Sequence, residues 1–269
     1  MYPADVDYVR VTTVEEAVTA LTSKDRPTLL AGGQSLSTWL KHRTVCPGWL
    51  IDLNHIDELQ DITDDGDVIR VGAMARWRTV AADARLPTAI RDAAAAVGDV
   101  QVRNRGTIGG GLATADPGGD IHAALVAVGT TVEITGPNGA RSAPITDVYR
   151  DAFSTTIADD EVITAIRIPP EVTRSAYLPL SFRRTDPVTL AFGLAALDGD
   201  QPQIRLSVTG YHTIPHVFVG EDLANTVAEA RTLQDEQPRT SVGVPAIYRQ
   251  RALTNLLDRL TDRPPTGWS

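Results

Sequence analysis

Residues Val102–Asp120 read VRNRGTIGGGLATADPGGD, and within them TIGGG at Thr107–Gly111 carries three successive glycines. The stretch is too rich in glycine to predict a regular helix or strand, because glycine loses more backbone entropy on ordering than any other residue. Three glycines between segments of ordinary composition indicate a constraint on the backbone, such as the close approach of a ligand. A diphosphate held between this loop and a second one would supply that constraint.

A shorter glycine loop precedes it, AGGQS at Ala31–Ser35, between a short apolar run and a predicted helix. At such a turn consecutive backbone N–H groups can point into one concavity, and the helix start adds a positive partial charge. Gly32 and Gly33 would permit a positive φ, whereas Gln34 and Ser35 would add side-chain hydrogen bonds. This geometry suits a phosphate. The alternative is an ordinary tight turn with Ser35 as a helix cap, and the loop alone does not decide between them.

The end of the longer stretch supplies an acidic residue. Asp116 and Pro117 predict the N-cap and first residue of a helix, which places Asp120 near the beginning of that helix. There its carboxylate could accept hydrogen bonds from ribose hydroxyls or merely complement the helix dipole, and both interpretations stay open. Neither glycine loop has the GxGxxG or GxxxxGK[ST] pattern, so the Rossmann and P-loop folds lack their signatures.

Short helical and β-prone segments alternate around both loops, which indicates an α+β unit over the first 170 residues or so. Thr13 and Glu16 have the spacing of a capping box at the start of a first helix. The other main elements predicted in this part are helices at Arg76–Ala84, Pro87–Val97 and Ile121–Gly129, and strands at Thr130–Thr135 and Glu161–Pro169. From about Tyr177, longer alternating runs precede two helical segments, which predicts a separate small α+β domain.

Charge and hydropathy exclude several classes of partner. The chain has 25 basic and 34 acidic residues, a net charge of −9, and no dense Lys/Arg run, so nucleic acid and anionic membrane surfaces are disfavoured. No apolar stretch approaches the roughly 20 residues that cross a bilayer, and the start lacks the pattern of a signal peptide. We therefore expect a cytoplasmic protein without membrane insertion.

Cysteine and histidine usage limits the metal chemistry of the chain. Cys46 is the only cysteine, which excludes an internal disulfide, a thiolate zinc site and an iron–sulfur cluster held by this chain alone. We expect Cys46 to be a small buried hydrophobic residue. The five histidines show no HExxH or similar spacing, so we expect packed or solvated histidines and no metal site.

Four segments together resemble a known family. They are AGGQSL at Ala31–Leu36, VRNRGTIGGGLATADPGGD at Val102–Asp120, EVITAIRIP at Glu161–Pro169 and YRQRAL at Tyr248–Leu253. The chain resembles the FAD-binding medium subunit of the carbon monoxide dehydrogenase and xanthine dehydrogenase family of molybdenum hydroxylases. The resemblance implies an α+β, two-subdomain FAD-binding fold of the vanillyl-alcohol oxidase (PCMH) type in residues 1–174, with subdomains at about 1–55 and 56–174. It also implies a flavoprotein-like C-terminal α+β domain in residues 175–269.

The same resemblance implies a non-covalent FAD between the two loops. Asp120 would contact the ribose and Ile163 the flavin or adenine region, whereas Gly111 replaces the asparagine usual in the family. The implied cofactor-binding residues are Ala31, Gly32, Gly33, Gln34, Ser35, Leu36, Thr107, Ile108, Gly109, Gly110, Gly111, Thr114, Asp120 and Ile163. The resemblance implies no catalytic acid or base on this chain.

The function implied by the resemblance is electron transfer. A molybdenum large subunit would oxidise the substrate, 2Fe-2S clusters on a small subunit would relay electrons, and FAD on this chain would pass them to an external acceptor. The assembly expected is a dimer of heterotrimers. The alternative is a self-contained FAD-dependent oxidase or dehydrogenase of the same fold, and a third interpretation is a scaffold subunit that has lost FAD.

Overall fold

The computed structural model describes residues 4–64, 66, 68–181, 188–199, 201–240 and 244–268. Its first part is a three-stranded parallel sheet in the order β1-β3-β2. Parallel neighbours need crossover connections, and two helices supply them. The elements are β1 (Asp7–Arg10), α1 (Val14–Ser23), β2 (Pro27–Leu30), α2 (Leu36–His42) and β3 (Trp49–Asp52).

The predicted first helix is confirmed, with a small change in its cap. Thr13 Oγ1 accepts the Glu16 N–H at 3.1 Å, as a capping box requires. The Glu16 carboxylate reaches back to the N–H of Thr12 at 2.7 Å. The apolar face of α1 then packs on the buried Ile51 of β3, so the helix closes one side of the sheet.

The middle part is a five-stranded antiparallel sheet with helices on one side. Its strands run in the order β4-β5-β10-β6-β7, and a hairpin of β8 and β9 lies apart. The strands are β4 (Ile62–Asp64), β5 (Ile69–Gly72), β6 (Thr131–Gly136), β7 (Gly139–Pro144), β8 (Tyr149–Asp151), β9 (Ser154–Thr155) and β10 (Val162–Ile168). The helices are α3 (Trp77–Ala82), α4 (Thr88–Ala96), α5 (Val100–Arg105), α6 (Ile108–Thr114), α7 (Ile121–Val128) and α8 (Ile145–Val148), with a short 3-10 helix at Asp57–Leu59.

The last part is a four-stranded antiparallel meander packed between helices. It contains β11 (Val172–Leu180), β12 (Leu190–Leu197), β13 (Gln203–Thr209), β14 (His216–Gly220), α9 (Leu223–Ala230), a 3-10 helix at Arg231–Asp235 and α10 (Ala246–Asp262). Side chains of β12 alternate between two cores: Phe192 packs toward α9 and α10, whereas Ala195 packs toward α7. The predicted α+β class is confirmed.

Helix α7 lies at the centre of this arrangement, and every one of its residues is buried. The meander fastens to it through polar contacts as well as apolar ones. Ser207 Oγ donates to the Ala123 carbonyl at 2.5 Å, and Arg205 Nε donates to the Ala127 carbonyl at 3.0 Å. Because these bonds engage backbone carbonyls, they constrain the position of the helix itself.

Three expectations from the sequence are wrong. Residues 108–114 form helix α6 despite the three glycines, because tertiary packing outweighs glycine's low helix propensity. Asp116 caps a turn by accepting the Gly118 N–H at 2.8 Å, and the next helix begins only after Asp120. Cys46 is exposed, because it lies in the loop after α2, with its thiol 3.7 Å from the Arg43 carbonyl oxygen.

Of the helices that the structure describes, none combines the length and apolarity that a membrane span requires.

Gly193 of β12 allows the close contact with α7. A Cβ at this position would overlap the Ala123 carbonyl oxygen and lie 3.0 Å from Ala127 Cβ. We expect Gly193→Ala to lower the free energy of unfolding by about 1–3 kcal/mol, measured by urea denaturation. Gly199→Ala is the control, because its Cβ would meet only Glu171 Cγ at 3.5 Å. Equal stability of the two variants would contradict this account of the interface.

Candidate functional site

A cleft of about 1020 Å³ lies between the parallel sheet and the helices of the middle part. Both glycine loops line it, as do four predicted residues outside the loops. The predicted residues in its lining are Ala31, Gly32, Gly33, Gln34, Ser35, Leu36, Thr107, Gly109, Gly110, Gly111, Thr114, Asp120 and Ile163. Ile108 is the exception, because its side chain is fully buried in the core behind the cleft.

The first loop leaves β2 and turns sharply into α2. Gly33 has a φ of +71°, which favours glycine, whereas Gly32 does not have a positive φ. Ser35 forms no side-chain cap bond, which disfavours the alternative that this loop is an ordinary tight turn capped by Ser35. Within the described residues no hydrogen bond takes up the backbone N–H of Gly33, Gln34 or Ser35. These donors, at a cleft-lining helix start, suit an anionic ligand.

Gly32 has a packing role instead. A Cβ at this position would overlap the Arg105 carbonyl oxygen and lie 2.6 Å from Gly106 Cα. The two glycine segments are therefore in direct backbone contact at the floor of the cleft.

The second loop begins helix α6, and its glycines are explained largely by contacts within the protein. Thr107 Oγ1 accepts the Gly110 N–H at 3.2 Å, which caps the helix. A Cβ at Gly109 would lie 2.6 Å from Ala73 Cβ, and one at Gly111 would lie 2.6 Å from the Trp77 ring. An asparagine, which the family resemblance implies at position 111, would therefore meet Trp77. Gly110 differs from its neighbours, because it approaches the first loop, with its Cβ position 3.5 Å from Ala31 Cβ.

Asn54 and Arg76, which sequence reasoning missed, tie the two loops together. Asn54 Nδ2 donates to the Ala31 carbonyl at 3.0 Å, and Arg76 donates both to Asn54 Oδ1 and to the Arg105 carbonyl. Asn54 is itself held by Asp52, whose carboxylate accepts its backbone N–H at 2.9 Å. No local pattern marks these residues, because they meet only through the tertiary fold.

The carboxylate of Asp120 stands at the cleft wall where α7 begins. It makes no cap bond to the helix and accepts a hydrogen bond of 2.7 Å from the Tyr177 hydroxyl. Burial raises the pKa of Asp120 to about 6, while the Tyr177 hydrogen bond opposes this rise. Asp120 is therefore an anion at pH 7 that retains free acceptor capacity for a ligand.

His122 lies behind Asp120 and is fixed as a neutral ring. Burial lowers the pKa of His122 to about 4, and its Nδ1 lies 2.7 Å from the Tyr149 hydroxyl. Burial also raises the pKa of Tyr149 far above its usual range, so the phenol is the donor in this pair. A neutral, fully engaged imidazole supports the cleft wall and is unsuited to proton transfer.

Apolar side chains complete the walls. Leu36, Trp39, Ile157 and Ile163 line the cleft, and the Trp39 ring meets Phe153 edge to face with centroids 6.5 Å apart. Helix α2 has no buried residue, so its apolar face remains open toward the cleft mouth. No three His, Cys, Asp or Glu side chains within the described residues are placed to share a metal ion.

Residues 4–171 match the family model described as the FAD binding domain in molybdopterin dehydrogenase. The chain belongs to this family. The glyceraldehyde dehydrogenase medium chain of Sulfolobus acidocaldarius is 32% identical over 222 residues, which are 80% of this chain and 79% of that relative. The carbon monoxide dehydrogenase medium chain of Afipia carboxidovorans is 39% identical over 184 residues, or 66% of this chain and 63% of that relative.

Solved structures of two oxidoreductases share the fold. Reconstituted carbon monoxide dehydrogenase from Oligotropha carboxidovorans has a TM-score of 0.89 and 30% identity, covering 98% of this chain and 99% of that one. Quinoline 2-oxidoreductase from Pseudomonas putida 86 has a TM-score of 0.86 and 25% identity, covering 96% of each chain. The chain is thus an FAD-binding subunit of the molybdenum hydroxylase family and part of an oxidoreductase, which confirms the resemblance noted in the sequence.

The geometry of the cleft fits a dinucleotide. Its volume is at the upper end of the roughly 300–1,000 Å³ usual for small-molecule sites. Free N–H groups at Gly33, Gln34 and Ser35 suit a diphosphate, the Asp120 carboxylate suits ribose hydroxyls, and the apolar walls suit aromatic rings.

Arg76 links the two loops, so its replacement should affect both stability and FAD binding. Arg76→Met removes the donor for Asn54 Oδ1 and the Arg105 carbonyl, so we expect the free energy of unfolding to fall by about 1.5–3 kcal/mol. We also expect weaker FAD binding, because the loops would separate. Arg78→Met is the control: Arg78 is exposed in the first turn of α3, just after Arg76, and its loss should change stability by less than about 0.5 kcal/mol. Denaturant unfolding and FAD titration measure both effects, and equal behaviour of the variants would rule out the link.

Proposed function

We propose that this chain is the electron-transfer subunit of a molybdenum-containing hydroxylase. It would hold one FAD, take electrons from iron–sulfur clusters of a small partner subunit and pass them to an external acceptor. The observation that carries the proposal is a dinucleotide-sized cleft in a member of this family that has a single cysteine. With one cysteine the chain cannot bind an iron–sulfur cluster by itself, so electrons must arrive from another polypeptide.

Names of relatives support a multi-subunit setting. Several are designated medium chains or medium subunits, including the nicotine 6-hydroxylase medium subunit of Paenarthrobacter nicotinovorans, at 29% identity. By analogy we propose a molybdenum large subunit and a 2Fe-2S small subunit as partners, assembled as a dimer of heterotrimers. The substrate would then be bound by the molybdenum subunit.

We assign the cofactor contacts to the residues that line the cleft. The N–H groups of Gly33, Gln34 and Ser35 would bind the diphosphate from one side, with Gly110 approaching from the other. Asp120 would accept hydrogen bonds from the ribose, and Ile163 would contact a ring system. Ile108 would support α6 from behind.

Three further residues limit how the cofactor is attached. The Thr114 hydroxyl already donates to the Gly110 carbonyl at 2.8 Å, so it could only accept a hydrogen bond from the cofactor. Cys46 does not line the cleft, and His122, which does, is buried and bonded to Tyr149. We therefore propose non-covalent attachment.

When bound, FAD supplies a carrier that can take up electrons singly and release them in pairs. The chain's own part is to position this carrier and exclude water from it. Leu36, Trp39 and Ile163 provide apolar surface for that purpose. We assign no catalytic acid or base to this chain, since His122 is bonded to Tyr149 and Asp120 to Tyr177 in contacts that support the cleft wall.

The cofactor assignment can be tested on the purified chain. We expect reversible binding of FAD, about one per chain, that is lost on acid treatment. Gly110→Val should abolish binding, because a Cβ there lies 2.8 Å from Thr107 Oγ1 and the side chain would fill the space between the loops. Asp120→Ala should weaken binding roughly tenfold to a hundredfold, the cost of one charged hydrogen bond. Unchanged affinity in both variants, with unchanged melting temperatures, would place FAD elsewhere.

The electron-transfer role can be tested by reconstitution. We expect the FAD-loaded chain alone to be inactive toward organic substrates, because the substrate would be oxidised on the molybdenum subunit. Turnover should appear when cluster-carrying and molybdenum-carrying subunits are added, measured as reduction of an artificial acceptor. Robust turnover by the metal-free chain would instead establish a self-contained oxidase.

A further inference from the structure

The loop Asp116–Asp120, which carries the cleft carboxylate, is held by hydrogen bonds between its own residues. Asp116 Oδ1 accepts the Gly118 N–H at 2.8 Å, and the Asp116 carbonyl accepts the Gly119 N–H at 2.8 Å. A Cβ at Gly119 would lie 2.6 Å from His122 Nε2, so the loop rests directly on the buried imidazole. These contacts order the loop backbone but leave the Asp120 side chain to other partners.

The C-terminal meander supplies those partners. The Tyr177 hydroxyl of β11 donates to Asp120 Oδ1 at 2.7 Å, and the Val188 N–H donates to the Gly118 carbonyl at 2.9 Å. Both residues belong to the part of the chain that follows residues 4–171, the span that the family model covers. The carboxylate at the cleft wall is therefore held by a residue that lies outside the matched FAD-binding segment.

The position of the Tyr177 ring is well determined. The ring packs on Ala123, Val188 and Ala191, and Tyr177 pairs with Gly193 across the sheet. Gly193 is also the point where β12 touches α7, the helix that begins directly after Asp120. One interface thus sets the distance between the phenol and the carboxylate.

We infer that Tyr177 is a positioning residue for the cofactor: it orients the Asp120 carboxylate toward the ribose hydroxyls and keeps it ionised, so that the C-terminal domain takes part in retaining FAD. This inference rests on the proposed function, since it assumes that FAD occupies the cleft. It gives the C-terminal domain a role in cofactor binding that acts through Asp120.

Electrostatics agree with the geometry. Burial raises the pKa of Asp120 to about 6, and the Tyr177 hydroxyl holds it from rising further. Burial, then the charge of Asp120, raises the pKa of Tyr177 well above its usual range, so the phenol remains a donor. The other titratable groups near the loop are Asp116, which faces Arg239, and His122, which is neutral. After burial, which raises the pKa of Asp120, the Tyr177 hydrogen bond has the largest effect, and it lowers that pKa.

FAD affinity should depend on pH through the charge of Asp120. A protonated Asp120 loses acceptor capacity, so FAD affinity should be full above the pKa of Asp120 and fall as the pH drops through about 6. Removing the Tyr177 hydroxyl raises the pKa of Asp120, because the hydrogen bond favours the charged form. The fall in affinity should then begin at a higher pH.

The test is the pH profile of FAD affinity for the full chain and for Tyr177→Phe. We expect the midpoint to move upward by about one to two pH units in the variant, the effect of one hydrogen bond to a charged group. Near pH 7 the affinity should fall about twofold to tenfold, and it should recover near pH 9. Tyr211→Phe is the matched control, because it removes a phenol that bonds the Glu236 carbonyl at 3.0 Å within the same domain. Its midpoint should equal that of the unchanged chain.

A merely structural role for Tyr177 would lower the affinity equally at every pH, and an unmoved midpoint would overturn the inference. Tyr177→Phe should also have no further effect on affinity in an Asp120→Asn background, because the two residues act through one carboxylate. Additive losses in that double-mutant cycle would contradict it.

A measurement without FAD separates this inference from the cofactor proposal. In the ligand-free chain, the carbon-13 carboxyl resonance that disappears in Asp120→Asn reports the titration of Asp120. Its midpoint should rise in Tyr177→Phe, and an unchanged midpoint overturns the inference whatever the cofactor does. Failure of the unchanged chain to bind FAD, by contrast, would overturn the proposed function and the ribose role of Asp120 with it.

Discussion

The packing of helix α7 between two sheets is the interaction on which the rest of the molecule depends. Every residue of the helix is buried, and its carbonyl groups accept hydrogen bonds from Ser207 and Arg205 of the meander. Gly193 permits this approach, because any larger residue would strike the backbone of α7. The helix begins next to Asp120, so its interface with the meander also sets the position of the carboxylate at the cleft wall.

Glycine has two different uses in the cleft. Gly33 provides a positive φ and leaves neighbouring N–H groups free, which is what an anionic ligand needs. Gly32, Gly109 and Gly111 instead allow backbone or aromatic rings of the protein to approach closely. The loops are therefore shaped first by contact with each other and with the core, and a ligand would use the concavity that results.

The first loop suits an anion although the molecule as a whole is acidic. The chain carries a net charge of −9, yet a diphosphate would meet backbone N–H groups in the first loop. Backbone dipoles can bind an anion without a basic side chain, because several partial charges converge on one point. Asp120 has a different role from these N–H groups. Its carboxylate is bonded to Tyr177 and suits neutral hydroxyl donors.

The amino-acid sequence by itself determined the fold class, the family and the loops, because these depend on local patterns: the capping box of Thr13 and Glu16, the apolar run of α7, and two glycine motifs in order. It did not reveal that residues 108–114 are helical, because packing against Ala73 and Trp77 outweighs glycine's weak helix propensity. Nor did it reveal the contacts of Arg76 with Asn54, or of Tyr177 with Asp120. Each of these joins residues far apart in the chain, and only the packing of the subdomains and of the meander on α7 brings them within hydrogen-bond distance.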